Sequence, residues 1–131
     1  MWARAAVRAR QIAANQARFG IANLEVICGE APECLEGLPA PDRVFIGGGG
    51  GKLAKILGAV LPRLPLQGRV VITAALLDTL TTATTVLNDR GWETEICQVQ
   101  VSRSRPLGGS SYLQSLNPVW LVTGTPREAA A

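Results

Sequence analysis

The chain has 131 residues, 47% of them hydrophobic and 18% charged, with three cysteines, no histidine and a formal net charge of +3. That length suits a single folded domain, and the apolar content argues against disorder because it offers enough surface to offset the entropy of ordering. The missing histidine excludes Ser-His and Cys-His nucleophile pairs, a histidine base and histidine metal ligands.

Ala5, Ala6, Ala9, Ile12, Ala13 and Ala17 recur at helical spacing with arginines on other faces, which predicts a helix over residues 3–18 stopped by Gly20. Leu24 to Cys28 reads as a short strand ended by Gly29-Glu30-Ala31-Pro32, with a polar or helical turn behind it. Arg43-Val44-Phe45-Ile46 reads as a buried strand that stops at Gly47, the first of five consecutive glycines. Leu53, Ile56, Leu57, Val60 and Leu61 follow an amphipathic helical pattern closed by Pro62 and Pro65. Arg69 to Thr73 is a predicted third strand, and Leu76, Leu80, Ala83 and Leu87 line a third helix ending near Gly91. Alternation of this kind predicts parallel strands joined by right-handed crossovers, with helices on both faces. Trp92 to Val101 and Val119 to Thr123 read as two more strands. Residues 102–117 between them show no helical periodicity and read as a polar loop, so this last pair is expected to be antiparallel.

Several chemistries fail on the residues. No apolar run reaches the roughly 18 to 20 residues of a membrane span, and Met-Trp-Ala-Arg does not open a secretory signal. Cys28, Cys34 and Cys97 lack zinc-knuckle spacing and are too few for a disulfide scaffold, so no metal and a reducing cytoplasm are expected. A phosphate loop ending at Gly51-Lys52 needs glycine at 46 and Ser or Thr at 53, where Ile46 and Leu53 stand; a dinucleotide fingerprint from Gly47 meets Lys52 in place of its last small residue. Eleven arginines against two lysines, spread along the chain, are too diffuse for a nucleic-acid stripe and suit a small molecule bearing carboxylates or phosphates. The motif of base-flipping methyltransferases is absent after Ile46.

Ligands of open α/β sheets bind at the carboxyl ends of parallel strands, which singles out Gly29 to Pro32 and Gly47 to Gly51. Glycine there admits close backbone approach, and a helix start behind it aims N–H groups at an anion. Glu30 is placed to accept from an amine or hydroxyl, or to serve as a surface carboxylate. Arg103 and Arg105 lie in the polar stretch, suited to substrate contact, while Asp78 and Thr79 suit a helix start.

Gly29-Glu30-Ala31-Pro32-Glu33, Val44 to Gly51, Val71-Ile72-Thr73-Ala74-Ala75-Leu76-Leu77-Asp78-Thr79, Ser102-Arg103-Ser104-Arg105 and Leu116-Asn117-Pro118-Val119 together resemble the decarboxylating precorrin C15-methyltransferases, including the C-terminal half of fused precorrin-6Y C5,15-methyltransferases. The resemblance spans residues 8–124. It implies a Rossmann-like class I S-adenosylmethionine-dependent methyltransferase of cobalamin biosynthesis, an α/β fold ending in an antiparallel strand pair, with a precorrin tetrapyrrole as substrate. It places Gly29, Glu30, Ala31, Ile46, Gly47, Gly48 and Gly49 at the cofactor. Gly50, Gly51, Leu77, Arg103 and Arg105 fall on the substrate side, the arginines near its acetate and propionate arms. No side chain is singled out as catalytic acid or base. The family's first strand, glycine-rich cofactor loop and following acidic residue would precede the helix at residue 3, so residues 1–131 are expected to form a partial methyltransferase domain. A tetrapyrrole-binding or assembly module without catalysis is the competing expectation. Uncovered sheet edges would favour a homo-oligomer or a fused or partner methyltransferase domain; neither membrane nor nucleic acid is an expected partner.

Overall fold

The computed structural model describes residues 2–127, with side chains from residue 6 onward, and the chain divides into two compact units between Leu38 and Pro39. In the first unit α1 (Trp2–Arg18) ends at a glycine stop. Gly20 takes φ +64°, its N–H donates to the Ala17 carbonyl at 3.3 Å, and the Ile21 N–H donates to the Gln16 carbonyl at 3.0 Å. These two bonds satisfy carbonyls of the last turn, and glycine enters the left-handed region without a Cβ penalty. Gln16 Nε2 donates to the Leu24 carbonyl at 2.7 Å, tying the departing chain back to the helix.

Leu24 to Cys28, expected as a strand, is irregular. A strand exists only through a ladder with a neighbour, and among the described residues nothing pairs with this segment. Its apolar residues Leu24 and Ile27 are accordingly exposed. The turn expected behind Pro32 is one 3-10 turn, Glu33–Leu35.

The second unit contains β1 (Arg43–Ile46), α2 (Leu53–Val60), a 3-10 turn (Leu61–Arg63), β2 (Arg69–Ala74), α3 (Leu77–Asp89), β3 (Glu93–Val99), β4 (Ser102–Leu107), β5 (Ser110–Ser115) and β6 (Val119–Thr125). Among the described residues they form a four-stranded sheet in the order β1-β2-β6-β3 and a separate two-stranded sheet, β4-β5. β1 and β2 pair in parallel, while β6 runs antiparallel to both β2 and β3. The expected β3-β6 pair is therefore present, and β6 also fills the place between β2 and β3. It follows that β1, β2 and β3 point the same way and end at one edge of the sheet.

Residues 102–117 are not a loop. Ser102–Leu107 and Ser110–Ser115 form an antiparallel hairpin closed by Gly108, at φ +54°, and Gly109. Two glycines between paired strands supply the turn conformations that larger residues resist.

The core lies where the sheet meets α2 and α3. Val70, Ile72 and Ala74 alternate along β2 and are fully buried, as are Leu57 of α2, Ala83 and Leu87 of α3, and Val122 of β6. Register partners share a face, so Ile46, Ile72 and Val122 form one buried row across three strands. Each such side chain contributes about 1.5–3 kcal/mol on burial. α2 and α3 pack on each other, because successive crossovers that advance across the sheet in one direction keep their helices on one face. α3 ends on the same glycine stop as α1: Gly91 takes φ +70°, its N–H donates to the Asn88 carbonyl at 2.9 Å, and the Trp92 N–H donates to the Leu87 carbonyl at 3.0 Å.

Candidate functional site

The edge formed by the carboxyl ends of β1, β2 and β3 gathers most of the singled-out residues of the second unit. Ile46 closes β1, and Gly47 to Gly51 carry the chain into α2. Ile46 pairs with Ile72, so the chain leaves β1 level with Thr73 and Ala74, the last two residues of β2. Thr73 Oγ1 donates to the Ile46 carbonyl at 3.4 Å, tying the two strand ends together. Sequence alone did not mark Thr73.

The five glycines differ in what they do. A Cβ on Gly49 would strike the Cβ and backbone of Leu53, and the Lys52 N–H donates to the Gly49 carbonyl at 2.7 Å, so this glycine packs the turn against the first residue of α2. Gly48, Gly50 and Gly51 have φ +85°, +51° and +84°, and no atom lies within 4 Å of a Cβ built on any of them. Their backbone is open to a ligand's approach, and a larger residue would meet the left-handed penalty. α2 begins without a side-chain cap and without an acidic residue in its first turn, which suits an anionic guest.

Beyond β2, Leu76 and Leu77 are each 68% exposed, an apolar step at the start of α3. Leu76, not Asp78 or Thr79, occupies the cap position of α3, and it makes no side-chain cap bond. Asp78 instead sits in the first turn, where a negative charge complements the helix dipole.

Beyond β3, Arg103 and Arg105 stand on β4 and not in a loop. The alternation of that strand places Arg103, Arg105 and Leu107 on one face, and the register adds Gln114, Tyr112 and Ser110 to it. Arg105 Nε donates to Gln114 Oε1 at 3.0 Å. Ser102 and Ser115 share a 3.2 Å hydrogen bond on the other face. Every residue of the hairpin is exposed. Tyr112 and Gln114 escaped the sequence, although the Gly108-Gly109 pair between two short stretches was a usable hairpin signal.

Gly29, Glu30 and Ala31 belong to the first unit. A Cβ on Gly29 would fall 2.5 Å from Cys34 Cβ, and the Cys34 N–H donates to the Glu30 carbonyl at 2.9 Å. The segment is thus folded against its own 3-10 turn, with a cis peptide between Ala31 and Pro32. Among the described residues no group of three or more Cys, Asp or Glu is placed to hold a metal ion, and no helix is long and apolar enough to cross a membrane.

The sequence profile of the precorrin methyltransferase domain matches residues 2–124. This chain belongs to that family. The chain is 34% identical over 109 residues to the cobalt-precorrin-6B C(15)-methyltransferase (decarboxylating) of Salmonella typhimurium, covering 82% of this chain and 56% of that one. Its fold matches the crystal structure of precorrin-6Y C5,15-methyltransferase from Geobacter metallireducens with a TM-score of 0.81 and 40% identity, over 88% of this chain and 60% of that one. The precorrin 8W decarboxylase of Methanobacterium thermoautotrophicum gives a TM-score of 0.81 at 33% identity, over 88% and 63% of the two chains. A SAM-dependent O-methyltransferase of Thermotoga maritima, 11% identical with a TM-score of 0.66, shares the fold alone. The domain spans little more than half the length of the curated relative, and its α/β architecture matches that of the solved precorrin-6Y C5,15-methyltransferase.

Proposed function

We propose that this domain supplies the precorrin-facing part of a cytoplasmic C-methyltransferase that methylates C15 and releases carbon dioxide from an acetate arm, with S-adenosylmethionine as methyl donor. The observation that carries the reading is the common edge of β1, β2 and β3. It gathers the open glycines, the exposed Leu77 and the Arg103/Arg105 hairpin at one end of a domain whose relatives are named for this reaction.

Gly29, Glu30, Ala31 and Ile46 to Gly49 are assigned to the cofactor, and Gly50, Gly51, Leu77, Arg103 and Arg105 to the tetrapyrrole. The open Cβ position of Gly48 leaves its backbone accessible to the close approach of a ligand. When bound, S-adenosylmethionine supplies a sulfonium methyl with an already activated leaving group. The chain's task is then to orient the two reactants and exclude water, which needs no histidine. The arginines hold carboxylate arms. As the CH2–carboxylate bond of an acetate arm breaks and carbon dioxide leaves, the conjugated macrocycle accepts the electron pair until a proton converts the remaining methylene to a methyl group, and N–H groups of the glycine segment face the charge that develops.

A second reading, a tetrapyrrole-binding or assembly module whose partner is another copy or a second methyltransferase domain, is favoured by one observation. No glycine loop of the dinucleotide type follows a strand within residues 2–127. Calorimetric titration of the chain with S-adenosylhomocysteine separates the two. Weak, high-micromolar binding is expected; a complete lack of heat at those concentrations would remove the catalytic reading for this chain and leave the module.

A further inference from the structure

We infer that Gln114 is a positioning residue for carboxylate recognition: it fixes the Arg105 guanidinium so that the pair Arg103 and Arg105 meets a carboxylate arm of the substrate in a set geometry. The inference rests on the precorrin reading for the identity of that substrate, and deepens it by naming the residue that orders the cationic face.

Arg105 and Gln114 are diagonal neighbours across the hairpin, since Arg105 pairs with Tyr112 and Arg103 with Gln114. Diagonal positions on one face stay within reach of long side chains. The 3.0 Å bond uses the Nε–H of Arg105 and leaves the two terminal nitrogens to form a fork toward a carboxylate. The acceptor is an amide, so the guanidinium is held without being neutralised, as it would be by Asp or Glu. No acidic residue occurs between Ser102 and Ser115, and among the described residues no carboxylate pairs with Arg103 or Arg105. An exposed arginine ordinarily loses considerable rotamer freedom when it binds; anchoring Nε beforehand reduces that loss. Tyr112, directly opposite Arg105, completes the face as a flat neighbour with a hydroxyl at its tip.

The test is a double-mutant cycle on the full chain, read by fluorescence titration with uroporphyrin, whose pyrroles each carry an acetate and a propionate. Arg105→Ala is expected to weaken binding about tenfold, and Gln114→Leu about three- to fivefold. In the Arg105→Ala background Gln114→Leu is expected to change nothing further, because its target is gone. The inference is overturned if Gln114→Leu weakens binding equally in both backgrounds, which is the signature of a merely disrupted hairpin. It is also overturned if Gln114→Leu leaves the parent's affinity unchanged, or if the parent does not bind uroporphyrin. Failure of the two ideas is distinguishable: a Gln114-dependent porphyrin site with no response to S-adenosylhomocysteine keeps this inference and removes the catalytic reading, whereas cofactor binding with an inert Gln114 does the reverse.

Discussion

The four-stranded sheet and the β4-β5 hairpin are built from the same backbone ladder yet carry opposite obligations. In the sheet, Val70, Ile72, Ala74 and Val122 are fully buried under Leu57, Ala83 and Leu87, so each side chain is chosen by the space left to it. In the hairpin no residue is buried, the strands are rich in serine and arginine, and no packing constrains the side chains. Fold stability is thus concentrated in one ladder, while the proposed reading gives recognition to the other, and substitutions should sort accordingly. Leu57→Ala empties a fully buried site between α2 and its neighbours and is expected to cost about 2–5 kcal/mol in a urea unfolding curve; a cost under about 1 kcal/mol would break the contrast. Gly124→Ala adds a methyl 2.7 Å from Leu87 Cδ2 and 3.0 Å from Val70 Cγ1, where α3 rests on the sheet, with an expected cost of about 1–3 kcal/mol by the same measurement. Leu113→Thr, on a 72% exposed position of β5, should leave unfolding within about 0.5 kcal/mol of the parent. A larger loss there would sharpen the comparison in another direction, by showing that Leu113 is covered in solution by a second molecule.

Local rules made some of this legible in the sequence. Gly20 and Gly91 marked two helix ends because a left-handed residue after a helix is a local need, and the spacing of Leu53, Leu57 and Val60 announced the buried face of α2. Leu24 to Cys28 misled because β-branched composition describes a willingness to pair, while a strand also needs something to pair with. The position of β6 between β2 and β3 had no local signature; register is a relation between distant segments. The same division runs through the site. Arg103 and Arg105 stood out by charge, and the five glycines by their run, but Gln114 became visible only when the register set it diagonal to Arg105. Thr73 likewise emerged from the pairing of β1 with β2, through its bond to Ile46.

The threading of β6 through the middle of the sheet also bears on synthesis. Residues 119–125 leave the ribosome after β2 and β3, yet they bridge those two strands, which otherwise do not touch as neighbours. Until they emerge, the inner edges of both strands stay unpaired and the hydrophobic layer beneath them stays open to water. A nascent chain stopped before Val119 therefore presents two sticky edges to the cell, and the emergence of β6 decides whether chaperones and proteases still meet them.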